Sequence, residues 1–263
     1  MTKFLKQYGE KRTGTNYLRA LLLANCPDTV PLMHILGDKH SPPVPLEHYR
    51  QNTPEVPDRA FEFVKAATFA APAESTRPDD VAQLEHMRSL AMQIDESVST
   101  GQLGFLISVK HPCAWAASFA KYYGWMVSTD SGQQMSSHYA KELERACHDF
   151  NLKHKSWLDH SSRFSSRTVI VRFEELLENP VGILSAIVTR FGLQQIDGPP
   201  ALFERCVAAA DWDHSEIGVG PKQFDPSFYH EKRFLSQLSR PLWDIVMSSI
   251  DWELAAAFGY NRF

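Results

Sequence analysis

The sequence predicts an α/β fold, and three observations carry that expectation. An apolar stretch, "KFLKQY" (3–8), runs into a glycine-containing turn and then into leucines at helical spacing. Two more short apolar runs, "GFLISV" (104–109) and "TVIVRF" (168–173), read as strands covered on both faces, where the polar alternation of a half-exposed strand is lost. Helical patterns separate the runs, and strands alternating with helices make an α/β fold.

Taken in order, the strand 3–8 leads into "GEKRTGTN" (9–16). Its two glycines, with four residues between them, match the first half of the phosphate-loop pattern G-x-x-x-x-G-K-[ST]. Thr15 then stands in place of the lysine and Asn16 in place of the magnesium-binding hydroxyl. Behind the loop, Leu18, Leu21 and Leu22 recur at helical spacing, and the helix ends between Asn25 and Asp28, around Pro27. Residues 41–57 hold five prolines and are expected to be irregular. A helix is expected from Asp79 to about Ser97, with Leu84, Met87, Ala91 and Ile94 along one stripe.

The strand 104–109 stops at Lys110-His111-Pro112, and "AWAASFAKYYGW" is helical in pattern. After the strand 168–173, "EELLENP" leads into a helix ending near Gly192. Residues 211–233 are rich in turn formers and lack a period, as a lid or binding loop would. Two C-terminal helices follow, with Ser239 and Asp251 as caps. Without an internal repeat or low-complexity tract, residues 1–263 read as one domain.

The composition, 43% hydrophobic and 22% charged, can bury a sizeable core. A formal charge of −4 and a pI near 6.3 argue against a general nucleic-acid binder. No apolar run approaches the ~20 residues of a membrane helix, and "MTKFLKQYGEK" lacks the apolar core of a secretory signal. Cys26, Cys113, Cys147 and Cys206 are scattered, which suits free thiols in a cytoplasmic protein and supplies no metal site.

A glycine loop between strand and helix turns backbone N–H groups and the positive helix end toward an anion. Arg12 adds a permanent charge, and the Thr13 and Thr15 hydroxyls add donors. The missing magnesium residues favour an anion whose transfer needs no metal. In "VKHPCAWAAS", Lys110 ends a strand and should emerge at the carboxyl edge of the sheet, where ligands of open α/β folds bind. Ser118 lies about 9 Å further along the following helix. Each alone reads as a solvated lysine and a surface serine.

The segments "RTGTNYL", "VKHPCAWAAS" and "VIVRFEELLENP", in that order, resemble the sulfotransferases that use 3′-phosphoadenosine 5′-phosphosulfate (PAPS). The resemblance implies a P-loop-type three-layer fold, a central parallel sheet flanked by helices. It implies that Arg12, Thr13, Gly14, Thr15, Asn16 and Tyr17 surround the phosphosulfate. Lys110, in place of the commoner arginine, and Ser118 would hold the 3′-phosphate of PAPS and of the product 3′-phosphoadenosine 5′-phosphate. By the same resemblance Lys232 and Arg233 would return to a cofactor phosphate, and Phe228 and Tyr229 would cover the adenine.

Sulfuryl transfer needs a base for the acceptor proton and cations for the charge that develops. "GDKHSPP" resembles the family's lysine–histidine segment before prolines, making His40 the base and Lys39 a cation, with Arg12 as the leaving-group clamp. Adjacent in an extended chain, Lys39 and His40 would point to opposite faces. His34, Glu47 and His48 are rival bases. Glu174 and Glu175 read as helix-start charges, and Trp115 and Phe119 as core. A P-loop phosphotransferase would need a lysine and a hydroxyl after Gly14; a non-catalytic 3′-phosphoadenosine 5′-phosphate sensor would not need His40. The acceptor, a small molecule, carbohydrate or lipid head group, leaves no readable code.

Overall fold

The computed structural model describes residues 2–33, 35–46, 81–129, 132–135, 137–202, 229, 231–237 and 239–262. Strand β1 (Lys3–Gly9) is followed by helix α1 (Thr15–Asn25) and strand β2 (Thr29–Leu32). Helix α2 (Val81–Ser99) leads to β3 (Gly104–Val109) and α3 (Pro112–Tyr122). A small antiparallel pair, β4 (Met126–Thr129) and β5 (Gly132–Met135), precedes the long α4 (Ala140–Arg163). Then come β6 (Thr168–Arg172), α5 (Phe173–Glu178), α6 (Pro180–Phe191), α7 (Arg240–Ser249) and α8 (Trp252–Ala257).

The main sheet is parallel throughout, in the order β2-β1-β3-β6. Side chains alternate between its faces. Phe4, Tyr8, Phe105, Ile107 and Val109 face one core with residues of α2, α3, α4, α7 and α8. Leu5 and Leu106 face a second core with α1, α5 and α6. Helices therefore cover both faces, in the expected three layers. The chain steps from β1 out to β2 and returns to β3 on β1's other side. That reversal opens a crevice at the carboxyl ends of β1 and β3, the place where open α/β sheets bind ligands.

The strand expected at 168–173 ends at Arg172, and Phe173 opens α5. β6 is an edge strand and is not uniformly buried; Ile170 is exposed. Gly192 closes α6 in the left-handed conformation, and the Asp251 carboxylate accepts the Leu254 N–H at the start of α8. Ser239 sits at the N-cap of α7 without a side-chain capping bond. Trp115 is fully buried and Phe119 packs on the same core. Cys26, Cys113 and Cys147 are buried free thiols, raised by burial to about 11, 12 and 12. Cys206 lies outside the described residues. Among those residues no helix is long and apolar enough to cross a membrane.

Candidate functional site

The loop between β1 and α1 occupies the crevice. Gly14 is the N-cap of α1 with φ of 81°, and a Cβ there would stand 2.3 Å from the Phe173 ring. Only glycine meets both demands. Arg12 also takes a positive φ, 72°, which is strained for a long side chain. The first helical bond runs from Leu18 N–H to Gly14 C=O, so the N–H groups of Thr15 and Asn16 lie ahead of the helix at its positive end. The Thr13 hydroxyl donates to the Glu10 carbonyl at 2.7 Å, inside the loop. Tyr17 is buried in the second core beside Leu18 and Phe173.

Lys39 and His40 form a turn over this loop, not an extended pair, and both side chains reach it. The Gly9 N–H donates to the Lys39 carbonyl at 2.8 Å. Lys39 Nζ lies 2.8 Å from Asn16 Oδ1, and His40 Nδ1 lies 2.6 Å from the Gly9 carbonyl. The expectation of opposite faces fails because the turn breaks the period-two alternation. A carbonyl can only accept, so Nδ1 carries the proton and Nε2 keeps its lone pair. Burial, and then the Lys39 charge, lower the His40 pKa to about 4, leaving the ring neutral. Burial and Arg19 lower Lys39 to about 8.

Residues not singled out by sequence hold that turn. Lys6, fully buried within β1, donates to the carbonyls of Met33 and Gly37 at 2.7 Å each. Tyr8 donates to the Leu36 carbonyl at 2.9 Å, and Trp157 Nε1 to the Ser41 carbonyl at 3.2 Å. Lys6 passes for a strand's solvated residue; its one signal is its place between Leu5 and Tyr8 in a strand buried on both faces.

The second motif meets the first. Arg12 Nε stands 3.4 Å from Ser118 Oγ on α3, and its guanidinium lies 5.2 Å from the Tyr122 ring centre. Lys110 follows β3 but is not solvated. It is 2% exposed, with Nζ 4.6 Å from the Phe173 ring centre, 4.8 Å from that of Tyr229, and 3.2 Å from the Tyr229 hydroxyl. Burial lowers its pKa to about 7, with Glu174 opposing and Arg12 reinforcing the shift. Tyr229 therefore contacts the lysine expected at the 3′-phosphate.

The carboxylates flanking the crevice are engaged. Glu10 accepts from Lys153 Nζ at 2.6 Å and from the Lys11 N–H. Glu174 accepts from the His111 N–H and the Tyr260 hydroxyl, so it ties the end of β3 to the C-terminal segment as well as starting α5. Lys232 and Arg233 are exposed, and Lys232 lies near enough to His111 to lower its pKa. His34, Glu47, His48, Phe228 and most of 211–233 lie outside the described residues.

No protein-family model matches the chain, and no curated protein matches it by sequence. Among solved structures, it is similar to the sulfotransferase domain from the Synechococcus PCC 7002 olefin synthase. The identity is 16% and the TM-score 0.48, over 100% of this chain and 95% of that one. It is also similar to the sulfotransferase domain from the curacin biosynthetic pathway, at 14% identity and a TM-score of 0.44, over 99% of each chain.

Proposed function

We propose that this chain is a cytoplasmic, single-domain, PAPS-dependent sulfotransferase that passes a sulfuryl group to a hydroxyl or amine. The observation that carries the reading is the convergence of three separate segments on one crevice. Arg12 of the glycine loop stands beside Ser118, and the Lys39–His40 turn is bonded to the same loop at Gly9 and Asn16. The donor set suits a nucleotide with phosphates at both ends: helix-start N–H groups, a guanidinium, an ammonium and a hydroxyl, with Glu10 and Glu174 turned to other partners.

When bound, the nucleotide supplies the sulfuryl group; the protein's residues supply position, charge and a proton acceptor. Arg12 and the N–H groups of Thr15 and Asn16 would bind the 5′-phosphate side. Lys110 and Ser118 would bind the 3′-phosphate. The Tyr229 hydroxyl, a neutral acceptor at 3.2 Å, would yield Lys110 Nζ to an anionic oxygen, since charge-assisted bonds are shorter and stronger. His40 Nε2 would take the acceptor's proton, its ring held by the Gly9 carbonyl. An anion beside the ring raises its affinity for that proton above the ligand-free value. Lys39, above the helix start, would offset negative charge there.

The test is a thermal-shift comparison of three ligands. 3′-Phosphoadenosine 5′-phosphate at a hundredfold excess over its dissociation constant is expected to add about 2.7 kcal/mol of stability. Adenosine 5′-phosphate should do far less, and magnesium should change nothing. A preference for Mg-ATP would instead identify a phosphotransferase, and tight binding of 3′-phosphoadenosine 5′-phosphate without turnover of any acceptor would identify a sensor.

A further inference from the structure

A second candidate site lies at the opposite end of the sheet. A cavity of about 280 Å³ opens at the amino ends of β1 and β3, bounded by α2, the turn before β6 and the last turn of α6. β1 runs from Lys3 at this cavity to Gly9 at the phosphate loop, six residue steps or roughly 20 Å at the rise of a parallel strand. It is thus a separate site, close to the lower end of the size range of small-molecule pockets.

Its lining mixes polar and apolar surface, and its charge is unbalanced. Lys3, Arg167 and Arg190 contribute three positive charges against the single carboxylate of Glu96. None of the three cations has an ion-pair partner among the described residues, whereas Arg172, Arg240 and Lys153 are each paired. Both guanidiniums are nevertheless held in place. Arg167 donates to the Gly101 carbonyl and lies over the Phe164 and Phe105 rings, 4.8 and 5.7 Å from their centres. Arg190 donates to the Ser165 carbonyl. Each uses one of its five N–H donors in these bonds, which leaves donors for a further acceptor. Fixing a guanidinium in advance lowers the entropy lost when it binds. Phe4 and Phe191 supply apolar wall.

We infer that this cavity binds a small phosphomonoester carried on an apolar body. A dianion matches the surplus of two positive charges, a guanidinium matches the oxygen geometry of phosphate, and the phenylalanines match the body. The site stands whether or not the crevice transfers sulfuryl groups.

Phenyl phosphate is the probe, titrated calorimetrically into the wild-type protein, Arg12→Ala, Lys3→Gln and the double variant Arg167→Gln/Arg190→Gln. Arg12→Ala weakens anion binding at the loop and keeps the cavity intact. Saturable binding that survives in Arg12→Ala but weakens about tenfold or more in the double variant is the expected result, from the loss of charged hydrogen bonds. Lys3→Gln should weaken it less and leaves both arginine anchors in place, so it answers the question even where the double variant fails to fold. Benzoate, a monoanion, should bind more weakly than phenyl phosphate, and inorganic phosphate, lacking the apolar body, more weakly too. Binding lost in Arg12→Ala and unchanged in Lys3→Gln and the double variant would overturn the proposal, as would no saturable binding in Arg12→Ala.

Discussion

Two lysines, one in the middle of β1 and one just beyond the end of β3, are both buried and both lowered by burial to pKa values of about 7, yet their surroundings differ. Lys6 gives two of its three donors to main-chain carbonyls at 2.7 Å. Among the described residues, Lys110 has one phenol oxygen at 3.2 Å and two ring faces. A buried ammonium whose donors are well used ties chain segments together. One with a single long bond, placed at the reversal point of the sheet, is suited to an incoming anion. Burial and pKa do not separate the two roles; the partners do. Lys6 holds the turn that presents His40, and Lys110 stands ready at the other side of the crevice.

The largest expected effect is at the residue Lys6 presents. His40→Ala should lower kcat by about 10²–10⁴-fold, the usual contribution of a positioned base, while affinity for 3′-phosphoadenosine 5′-phosphate stays near wild type. The sign of the pH dependence follows from the lowered pKa. A base is lost when protonated, so kcat/KM, which reports the free enzyme, should fall only as pH drops toward about 4. An unperturbed histidine would fail near 6.5. Stopped assays from pH 8 to 4.5 check this; a profile that breaks at 6.5 places the base elsewhere.

The two lysines themselves come next. Lys6→Met leaves the Met33 and Gly37 carbonyls without their donor, each costing about 1–3 kcal/mol, partly offset by no longer burying a charge. A net loss of about 2–4 kcal/mol in urea unfolding is expected, together with a fall in kcat as the turn loosens. Lys110→Met puts an apolar side chain between two rings, so stability should change by no more than about 1 kcal/mol. Its affinity for 3′-phosphoadenosine 5′-phosphate should fall about tenfold or more, with adenosine 5′-phosphate little affected. If Lys110→Met destabilises as much as Lys6→Met, both lysines are structural and the contrast between them collapses.

How much of this was legible in the sequence depends on which interactions define each part. β1, α1, β3, α3 and α6 follow from local patterns, because their burial or capping is written in consecutive residues. α4 was not anticipated, although Leu143, Cys147, Phe150, His154, Trp157 and Ser161 form one buried stripe at spacings of four and three. His154 and Ser161 read as polar, and only tertiary packing, with His154 stacked 3.6 Å from Phe150, shows them as interior. In the crevice, the loop glycines, Arg12 and Ser118 were found by spacing. The Lys39–His40 geometry was misread because a turn held by Lys6 and Tyr8, some thirty residues earlier, sets it. The bond from the Thr13 hydroxyl to the Glu10 carbonyl likewise belongs to the folded loop and is not announced by the spacing. Long-range hydrogen bonds carry the remainder, and a local pattern does not encode them.

The smallest effect sharpens the comparison most, because it removes only the partner of Lys110. Tyr229→Phe deletes the hydroxyl at 3.2 Å and keeps the ring that lies 4.8 Å from the ammonium and packs edge-on against Phe173. A long bond to a neutral oxygen contributes about 0.5–1.5 kcal/mol, so unfolding should shift by that much or less. The consequence for binding separates two roles. If the hydroxyl only occupies the ammonium until an anion arrives, its loss frees a donor, and affinity for 3′-phosphoadenosine 5′-phosphate should stay level or rise by less than about threefold. If the hydroxyl itself touches the nucleotide, affinity should fall in Tyr229→Phe as it does in Lys110→Met, and the phenol then belongs to the binding site beside the lysine. Calorimetric titration of both variants under one salt concentration distinguishes these outcomes, and a fall in affinity would place the phenol in the binding site beside the lysine.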